Sequence, residues 1–218
     1  MALNKLKFNS LNVTPTAGKT IGFNSSANGL EATLSGGSMR FIKKLTASSS
    51  STLSFVNGSS DVVLDNTYKE YLFIWNSIHP ATDGANFTVG FRDGSTDYDA
   101  TKTTTSFRTY HQEDGSASSL GYHTGNDIAQ GTGFQTINFE VDNDNDSCCG
   151  GYLHLFNPSS TTFVKHFVSV GSMVQNDTIN RADYVGGYCN VTAAIDAVQF
   201  KFSSGNIDAG TITLYGIN

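Results

Sequence analysis

IDAVQFKFSSGNIDAGTITLYGIN, residues 195–218, is the stretch of this chain that decides its fold. Val198, Phe200 and Phe202 alternate with polar residues, and this period of two is typical of a strand with one buried face. The turn-forming segments SSGN and DAG follow, and a second alternating segment over 211–215 runs almost to the last residue. The pattern predicts two β-strands separated by a turn, with the end of the chain held in a sheet.

Similar alternation recurs from Phe41 onward. It predicts strands at residues 41–47, 52–56, 68–75, 87–91, 104–110, 136–142, 152–156, 162–168 and 183–190. Polar turns separate these segments, and the one helical candidate is a single turn at 192–196. Short strands at this spacing, without a helical period, predict an all-β fold. We expect residues 41–218 to form a jelly-roll-like antiparallel β-sandwich.

Residues 1–40 follow a different pattern, in which small apolar groups are separated by segments rich in Gly, Ser, Thr and Asn. Each group is too short to bury much surface alone, because isolated two-stranded elements need outside packing. Two interpretations stay open. The segment is an extended arm or a set of short hairpins that docks on a partner, or it supplies edge strands to its own domain. The predicted organisation is a docking segment over 1–40 and a β domain over 41–218.

The composition excludes several classes of protein. Charged residues make up 15% of the 218 residues and aromatic residues 11%, whereas disordered chains are rich in charge and poor in aromatics. The net charge of −6 opposes general binding to nucleic acid, which needs clustered Lys and Arg. The sequence has no apolar run of about 18 residues, so it predicts no membrane span.

The cysteines and the first residues bear on where the protein is made. The segment MALNKLKFNSLN lacks the uninterrupted apolar run of a secretory signal. Cys148, Cys149 and Cys189 are an odd number, and two of them are adjacent. Adjacent cysteines form strained bridges, so the sequence does not predict a disulfide framework. We therefore expect synthesis in a reducing cytoplasm.

Signatures of catalysis are absent from the sequence. It has no nucleophile elbow, no phosphate-binding loop and no dinucleotide fingerprint. No basic residue lies next to Cys148 and Cys149 in sequence to activate a thiol. His154 and His166 lie on two strands that flank a turn, and they would need further ligands to hold zinc. We expect no enzyme activity and no cofactor.

One acidic run resembles a metal-binding loop. Asp142, Asp144 and Asp146 have the D-x-D-x-D spacing that calcium loops use. However, Ser147 stands where an EF-hand loop needs Gly, and Leu153 stands where it needs Glu. An exposed turn is the favoured interpretation, with calcium as the weaker alternative.

Four tyrosines are candidates for a ligand-facing surface: Tyr98, Tyr110, Tyr122 and Tyr184. They lie beside Asp, Asn, His and Gly in predicted loops, where an aromatic ring can stack on a sugar. Tyrosine is also common on half-buried sheet surfaces, so both interpretations stay open.

Three stretches together resemble a known group of proteins. They are the closing segment 195–218, LHLFNPSSTTFVKHFVS at 153–169, and LDNTYKEYLFIWNSIHPATD at 64–83. The group they resemble comprises poorly characterised proteins of marine tailed bacteriophages, including those of cyanobacteria. The likeness covers most of residues 41–218 in the same order, and residues 1–40 are less similar.

The resemblance implies a structural protein of the virion, made in the host cytoplasm and located in the virus particle. The implied role is a capsid decoration or a tail-appendage or fibre subunit. Its expected partners are other capsid or tail proteins and further copies of itself, with no nucleic acid and no membrane span. The resemblance carries over no functional residues. The alternative left open is a lectin-like module that binds host glycans.

Overall fold

The computed structural model describes residues 20–23, 26, 28, 30–33, 38–175 and 178–218, and every regular element in them is a β-strand. The chain divides into two units, residues 1–38 and residues 39–218. In the first unit, β1 (Thr20–Phe23) and β2 (Leu30–Thr33) pair as an antiparallel hairpin that forms a sheet of its own. Residues 1–19, which belong to the predicted docking segment, lie outside the described residues.

Residues 39–218 contribute twelve strands to one sheet. They are β3 (Met39–Thr46), β4 (Leu53–Val56), β5 (Glu70–Pro80), β6 (Ala85–Arg92), β7 (Lys102–Gln112), β8 (Ser118–Tyr122), β9 (Gln135–Val141), β10 (Cys149–Phe156), β11 (Lys165–Gln175), β12 (Ile179–Cys189), β13 (Ala197–Phe202) and β14 (Ile207–Ile217). All pairings between these strands are antiparallel. The prediction of an all-β antiparallel fold is confirmed. Within the described residues, no helix is long and apolar enough to span a membrane.

The strand order shows how the sheet curves on itself. One run is β3-β14-β5-β10-β11-β12-β7-β8, and a second run is β9-β6-β13-β4. The two runs meet where Gln175 of β11 pairs with Val141 of β9. At the other end, Ser50 and Ile207 form an isolated bridge through two backbone hydrogen bonds of 2.8 Å. The antiparallel sheet is therefore nearly closed into a barrel.

Aromatic side chains hold the two runs together. Phe73 and Trp75 of β5 contact Phe200 of β13 at ring-centroid distances of 5.6 and 6.4 Å, although β5 and β13 are not paired. Phe87 of β6 stacks on the same Phe200 ring at 5.8 Å. All four rings are fully buried. Buried rings remove large apolar areas from water, so this cluster links the two runs across the interior.

Several element bounds differ from the sequence prediction. The segment predicted over 211–215 belongs to a longer strand that begins at Ile207, and β12 begins at Ile179 rather than at residue 183. The sequence of β8, SSLGY, has no alternation that would predict a strand. The helical candidate at 192–196 is wrong. These residues form a loop, in which the Ile195 N–H donates to the Pro158 carbonyl at 2.8 Å.

Candidate functional site

One face of the sheet carries residues in register across six neighbouring strands. In the central row, each residue is the direct cross-strand partner of the next: Ile74, Tyr152, Val170, Tyr184, Phe107 and Tyr122. One flanking row is Leu72, His154, Val168, Gly186 and Thr105, and the other is Gly150, Ser172, Ala182, Thr109 and Leu120. We call these three rows, on β5, β10, β11, β12, β7 and β8, the outer strip.

The outer strip is mostly apolar and open to solvent. It contains no Asp, Glu, Lys or Arg. Five of its large apolar side chains are exposed: Phe107, Leu120, Tyr122, Tyr152 and Val168, at 44%, 70%, 56%, 42% and 43%. A contiguous exposed apolar surface on a protein often marks a site of contact with another molecule. The outer strip is therefore the first candidate for a binding surface.

The rings of the outer strip pack against one another. Phe107 and Tyr184 are parallel within 2°, with centroids 4.6 Å apart, so each ring covers one face of the other. The Tyr122 hydroxyl donates to Asp127 Oδ2 at 2.5 Å. A sugar needs a free ring face on which to stack. In this stack one face of each ring is no longer open to a sugar.

The structure separates the four predicted ligand-facing tyrosines. Tyr122 and Tyr184 lie on the outer strip. Tyr110 lies three positions along β7 from Phe107 and therefore on the opposite face, where it packs beneath the Arg108 guanidinium. Tyr98 is in the loop after β6, with its ring 6.4 Å from that of Phe134. The four do not form one site.

Sequence reasoning missed Phe107 and Tyr152, which complete the outer strip. Each is an aromatic residue at an outward position of its strand, between residues that face inward. An aromatic residue on the polar face of an alternating strand is the signal that could have found them. Their alignment with Tyr184 and Tyr122 depends on strand pairing, which the sequence does not show.

Two shallow hollows indent this face. One has a volume of about 260 Å³ and lies around Gly186, between Val168 and Phe107. The other, of about 470 Å³, lies beside Leu72 and Tyr152. At Gly186 a Cβ would meet no atom closer than 3.8 Å, so the missing side chain itself creates part of the first hollow. The surface of the outer strip is therefore indented as well as apolar.

A second candidate is a polar cleft of about 370 Å³ lined by His79, Cys148, Asp146 and Asp208. Bulges in the pairing of β5 with β14 shape it, and Gly210 at φ +110° permits them, since a Cβ there would lie 2.3 Å from the Ser77 carbonyl oxygen. These residues have the types of a thiol–imidazole–carboxylate site.

The geometry of the cleft does not form that site. His79 Nε2 lies 3.1 Å from the Asp144 carbonyl oxygen, so this nitrogen is the donor and is not free to act as a base. His79 Nδ1 lies 3.9 Å from Asp208 Oδ2, beyond hydrogen-bonding distance. Within the described residues, no hydrogen bond joins His79 to Cys148. The contacts of His79 instead fasten the acidic loop to the sheet.

The candidate calcium residues lie in the loop between β9 and β10. Asp142 is 2% exposed, and its Oδ2 accepts the Asp144 N–H at 3.3 Å. The Ser147 N–H donates to the Asp144 carbonyl at 2.8 Å. Among the described residues, no group of three or more His, Cys, Asp or Glu side chains is placed to hold a metal ion. The observed bonds are those of a turn.

The two histidines considered for zinc have separate partners. His154 pairs across the strands with Val168, and its Nε2 lies 3.0 Å from Glu70 Oε2. His166 pairs with Tyr188, and the two rings are 5.7 Å apart. Neither histidine belongs to a metal-binding group within the described residues.

The environments of the three cysteines predict different reactivity. Cys149 and Cys189 are buried, whereas Cys148 is half-buried. Burial raises the pKa of the Cys189 thiol to about 12 and raises that of Cys149 well above its usual value. Because the thiolate is the reactive form, a maleimide at neutral pH is expected to label the native protein once, at Cys148.

Intact-mass measurement tests this labelling. We expect one label on the native protein, none on Cys148→Ser, and three on the wild type in denaturant. Two or more labels on the native protein would show that a buried thiol is accessible.

A polar cluster occupies the interior beneath β7 and β12. Lys102 Nζ donates to the carbonyls of Thr132 and Gly133, at 3.3 and 2.7 Å. Gln135 Nε2 donates to the Asn126 carbonyl at 2.8 Å, and Thr104 Oγ1 donates to Gln135 Oε1 at 2.7 Å. These bonds satisfy the backbone of the segment over 126–133, which covers this side of the sheet. The buried polar groups thus have a structural role.

An ion pair lies at the centre of this interior. Arg181 and Asp183 are fully buried, and the guanidinium donates twice to Asp183 Oδ1, at 3.0 and 2.8 Å. Asp183 Oδ2 accepts the Phe139 N–H at 3.0 Å, so β9 is fastened to β12. Arg181 also donates to Gln175 Oε1 at 3.4 Å, and its Nη2 lies 3.1 Å from His123 Nδ1. A guanidinium only donates, so His123 Nδ1 is the acceptor and lacks a proton.

This contact predicts a pH dependence of stability. Burial first, and then the Arg181 charge, hold the pKa of His123 below its usual value of 6.5. Below that usual value the unfolded chain binds a proton that the folded protein does not, so stability falls as pH decreases from 6.5 toward the lowered pKa. Thermal unfolding followed between neutral and mildly acid pH should show this loss.

His123→Asn is the matched control for the pH dependence. Its amide oxygen can still accept from Arg181 but does not titrate in this range. The variant should therefore lose part of the slope of the melting temperature against pH. An unchanged slope would assign the dependence to other groups.

Comparison with known proteins places the chain in no family. No family profile, no curated protein and no solved structure matches it.

Proposed function

We propose that this protein is a non-enzymatic structural component of a tailed-bacteriophage virion, a capsid decoration or a tail-appendage or fibre subunit. The observation that supports an assembly role is the outer strip, an uncharged and largely apolar surface across six strands. Subunits of symmetric particles bury such surfaces against neighbours. The phage assignment itself is based on the resemblance of residues 64–83, 153–169 and 195–218 to phage proteins.

The finer architecture that we propose is a jelly-roll-like sandwich. Phe200 and Phe87 of one run of strands contact Phe73 and Trp75 of the other, between strands that are not paired. Face-to-face contact of this kind is the packing of two layers. A nearly closed body with few free edges suits a protein that is present in many copies on a particle.

Mass spectrometry and immunogold labelling of purified particles of the encoding phage test the virion assignment. We expect the protein in the particles at a fixed ratio to a capsid or tail protein, with label at one location. Its absence from particles made in cells that contain the protein would contradict the proposal.

Variants of the outer strip test its role in assembly. Val170→Lys places a charge at the centre of the strip and should reduce incorporation into particles. Val174→Lys is the matched control, because Val174 faces outward on the same strand but lies outside the three rows.

Deletion of residues 1–40 tests the proposed docking segment, and normal incorporation of the shortened chain would exclude it as the anchor.

A glycan-binding role is the second candidate, and the exposed Tyr152 ring favours it. Tyr152 is 42% exposed and lies beside a hollow that His154 and Asn76 also line. A ring with neighbouring amide and imidazole groups is a common arrangement for sugars. Specific binding on a glycan array that Tyr152→Ala abolishes would favour this function over assembly.

A further inference from the structure

We infer that the outer strip is covered by the same face of the sheet of a second copy of this chain, related by a two-fold axis parallel to the strands. The inference rests on the proposed assembly function and names the partner. The outer strip belongs to the run β3-β14-β5-β10-β11-β12-β7-β8. This run has eight strands, and its centre lies between β10 and β11. An axis at that centre makes β10 face β11 of the second copy and β5 face β12. The other two strands of the outer strip, β7 and β8, then face β14 and β3 of the second copy.

The two-fold arrangement brings complementary shapes together. In the central row, Tyr152 faces Val170 of the second copy, and Ile74 faces Tyr184. In the next row, Leu72 faces Gly186, where the hollow of about 260 Å³ is in position to receive it. The same contacts occur twice, because an isologous interface repeats every pair about its axis.

The charges at the ends of the central row are also complementary. The register continues from Ile74 through Thr213 to Lys44, which is exposed at the β3 end. At the β8 end, Asp127 accepts the Tyr122 hydroxyl. The two-fold axis reverses the row, so Lys44 of each copy faces Asp127 of the other. An uncharged centre with opposite charges at its rim is the usual anatomy of a specific interface.

The dimensions of the strip set the largest area that a pair can bury. Six strands about 4.8 Å apart and three rows about 6.8 Å apart give a footprint of about 600 Å² on each copy. Contact over the full strip of both copies would bury about 1,200 Å² at most, which is the lower end of specific protein interfaces.

Sedimentation equilibrium of the full chain tests the inference. We expect the wild type to be a dimer at micromolar concentration and Val170→Lys to weaken self-association at least about 100-fold, because it buries an unpaired charge. Val168→Lys, at a more exposed position, is the second variant if Val170→Lys does not fold. Val174→Lys should associate like the wild type.

A charge swap tests the direction of the axis. Lys44→Asp and Asp127→Lys should each weaken association about two- to fivefold, the scale of an exposed ion pair. The double variant should restore wild-type association. Failure of the swap to restore it would overturn the proposed two-fold arrangement.

Two other results would overturn the inference. One is a dimer that neither Val170→Lys nor Val168→Lys weakens. The other is a full chain that is monomeric. This result overturns the inference both when surface labels reach the strip in the full chain and when they reach it only after removal of residues 1–38. Particle incorporation separates this failure from that of the proposed function. If the protein is a monomer and Val170→Lys blocks its incorporation into particles, the assembly function holds with a different partner. If the protein is a dimer but is absent from particles, only the virion role is refuted.

Discussion

Replacing Arg181 by methionine is expected to lower the free energy of unfolding by about 3–5 kcal/mol. The guanidinium is fully buried and donates twice to the buried Asp183 carboxylate. Methionine keeps much of the volume but leaves that carboxylate without a counter-charge. It also removes the packing of the guanidinium over the Phe139 ring, at 4.5 Å. The large effect comes from leaving the Asp183 carboxylate buried without a counter-charge. It does not measure the net contribution of the ion pair to the free energy of unfolding.

Chemical denaturation of three variants measures this effect. Arg92→Met is the matched control, because Arg92 pairs with Asp196 at 2.8 Å but both side chains are partly exposed. It should cost about 1 kcal/mol or less. The double variant Arg181→Met/Asp183→Asn should recover much of the loss, since asparagine is neutral and can still accept the Phe139 N–H. A loss below about 1 kcal/mol for Arg181→Met would refute the uncompensated-charge explanation.

The sequence predicts the fold class well because burial on one face imposes a period of two. Val198, Phe200 and Phe202 show this directly, and all three are buried in β13. Strand order is not predictable in the same way. It depends on pairs such as β14 with β5, which are distant in sequence, and alternation within a strand gives no information about its neighbour.

The charged interior was beyond sequence reasoning for a different reason. Arg181, Asp183 and Lys102 occupy inward positions of β12 and β7. A pattern argument assigns charged residues to the solvent face, since burying an unpaired charge is costly. Here an ion pair and backbone carbonyls compensate the cost, and such partners become visible only when the strands and the covering loop are placed together.

Part of the outer strip could be predicted from the sequence. Tyr122 and Tyr184 were candidates because aromatic residues near polar loops often bind ligands. Phe107 lies between them as the cross-strand partner of both, and Tyr152 lies two strands beyond Tyr184 in the same row. The pairing of β12 with β7 and of β10 with β11 creates this row, and the sequence does not show that pairing. The strip exists as a surface only through register, because a shift of one residue would turn each of these rings inward.

Truncating Phe200 to alanine is expected to cost about 3–5 kcal/mol, the range for removing a buried phenylalanine ring. Phe200 is fully buried and contacts Phe55, Phe73, Trp75 and Phe87 at 6.4, 5.6, 6.4 and 5.8 Å. These partners come from both runs of strands, so the cavity would lie between the runs. The surrounding rings belong to paired strands and cannot move freely to fill it.

Denaturant unfolding with a matched control tests whether Phe200 links the two runs. Phe163→Ala removes a ring that is 70% exposed and should change stability by less than about 0.5 kcal/mol. Phe200→Leu, which keeps more of the volume, should cost less than Phe200→Ala. If Phe200→Ala costs no more than Phe163→Ala, the aromatic cluster does not hold the barrel closed. Stability would then depend on the backbone pairing at Gln175–Val141 and Ser50–Ile207.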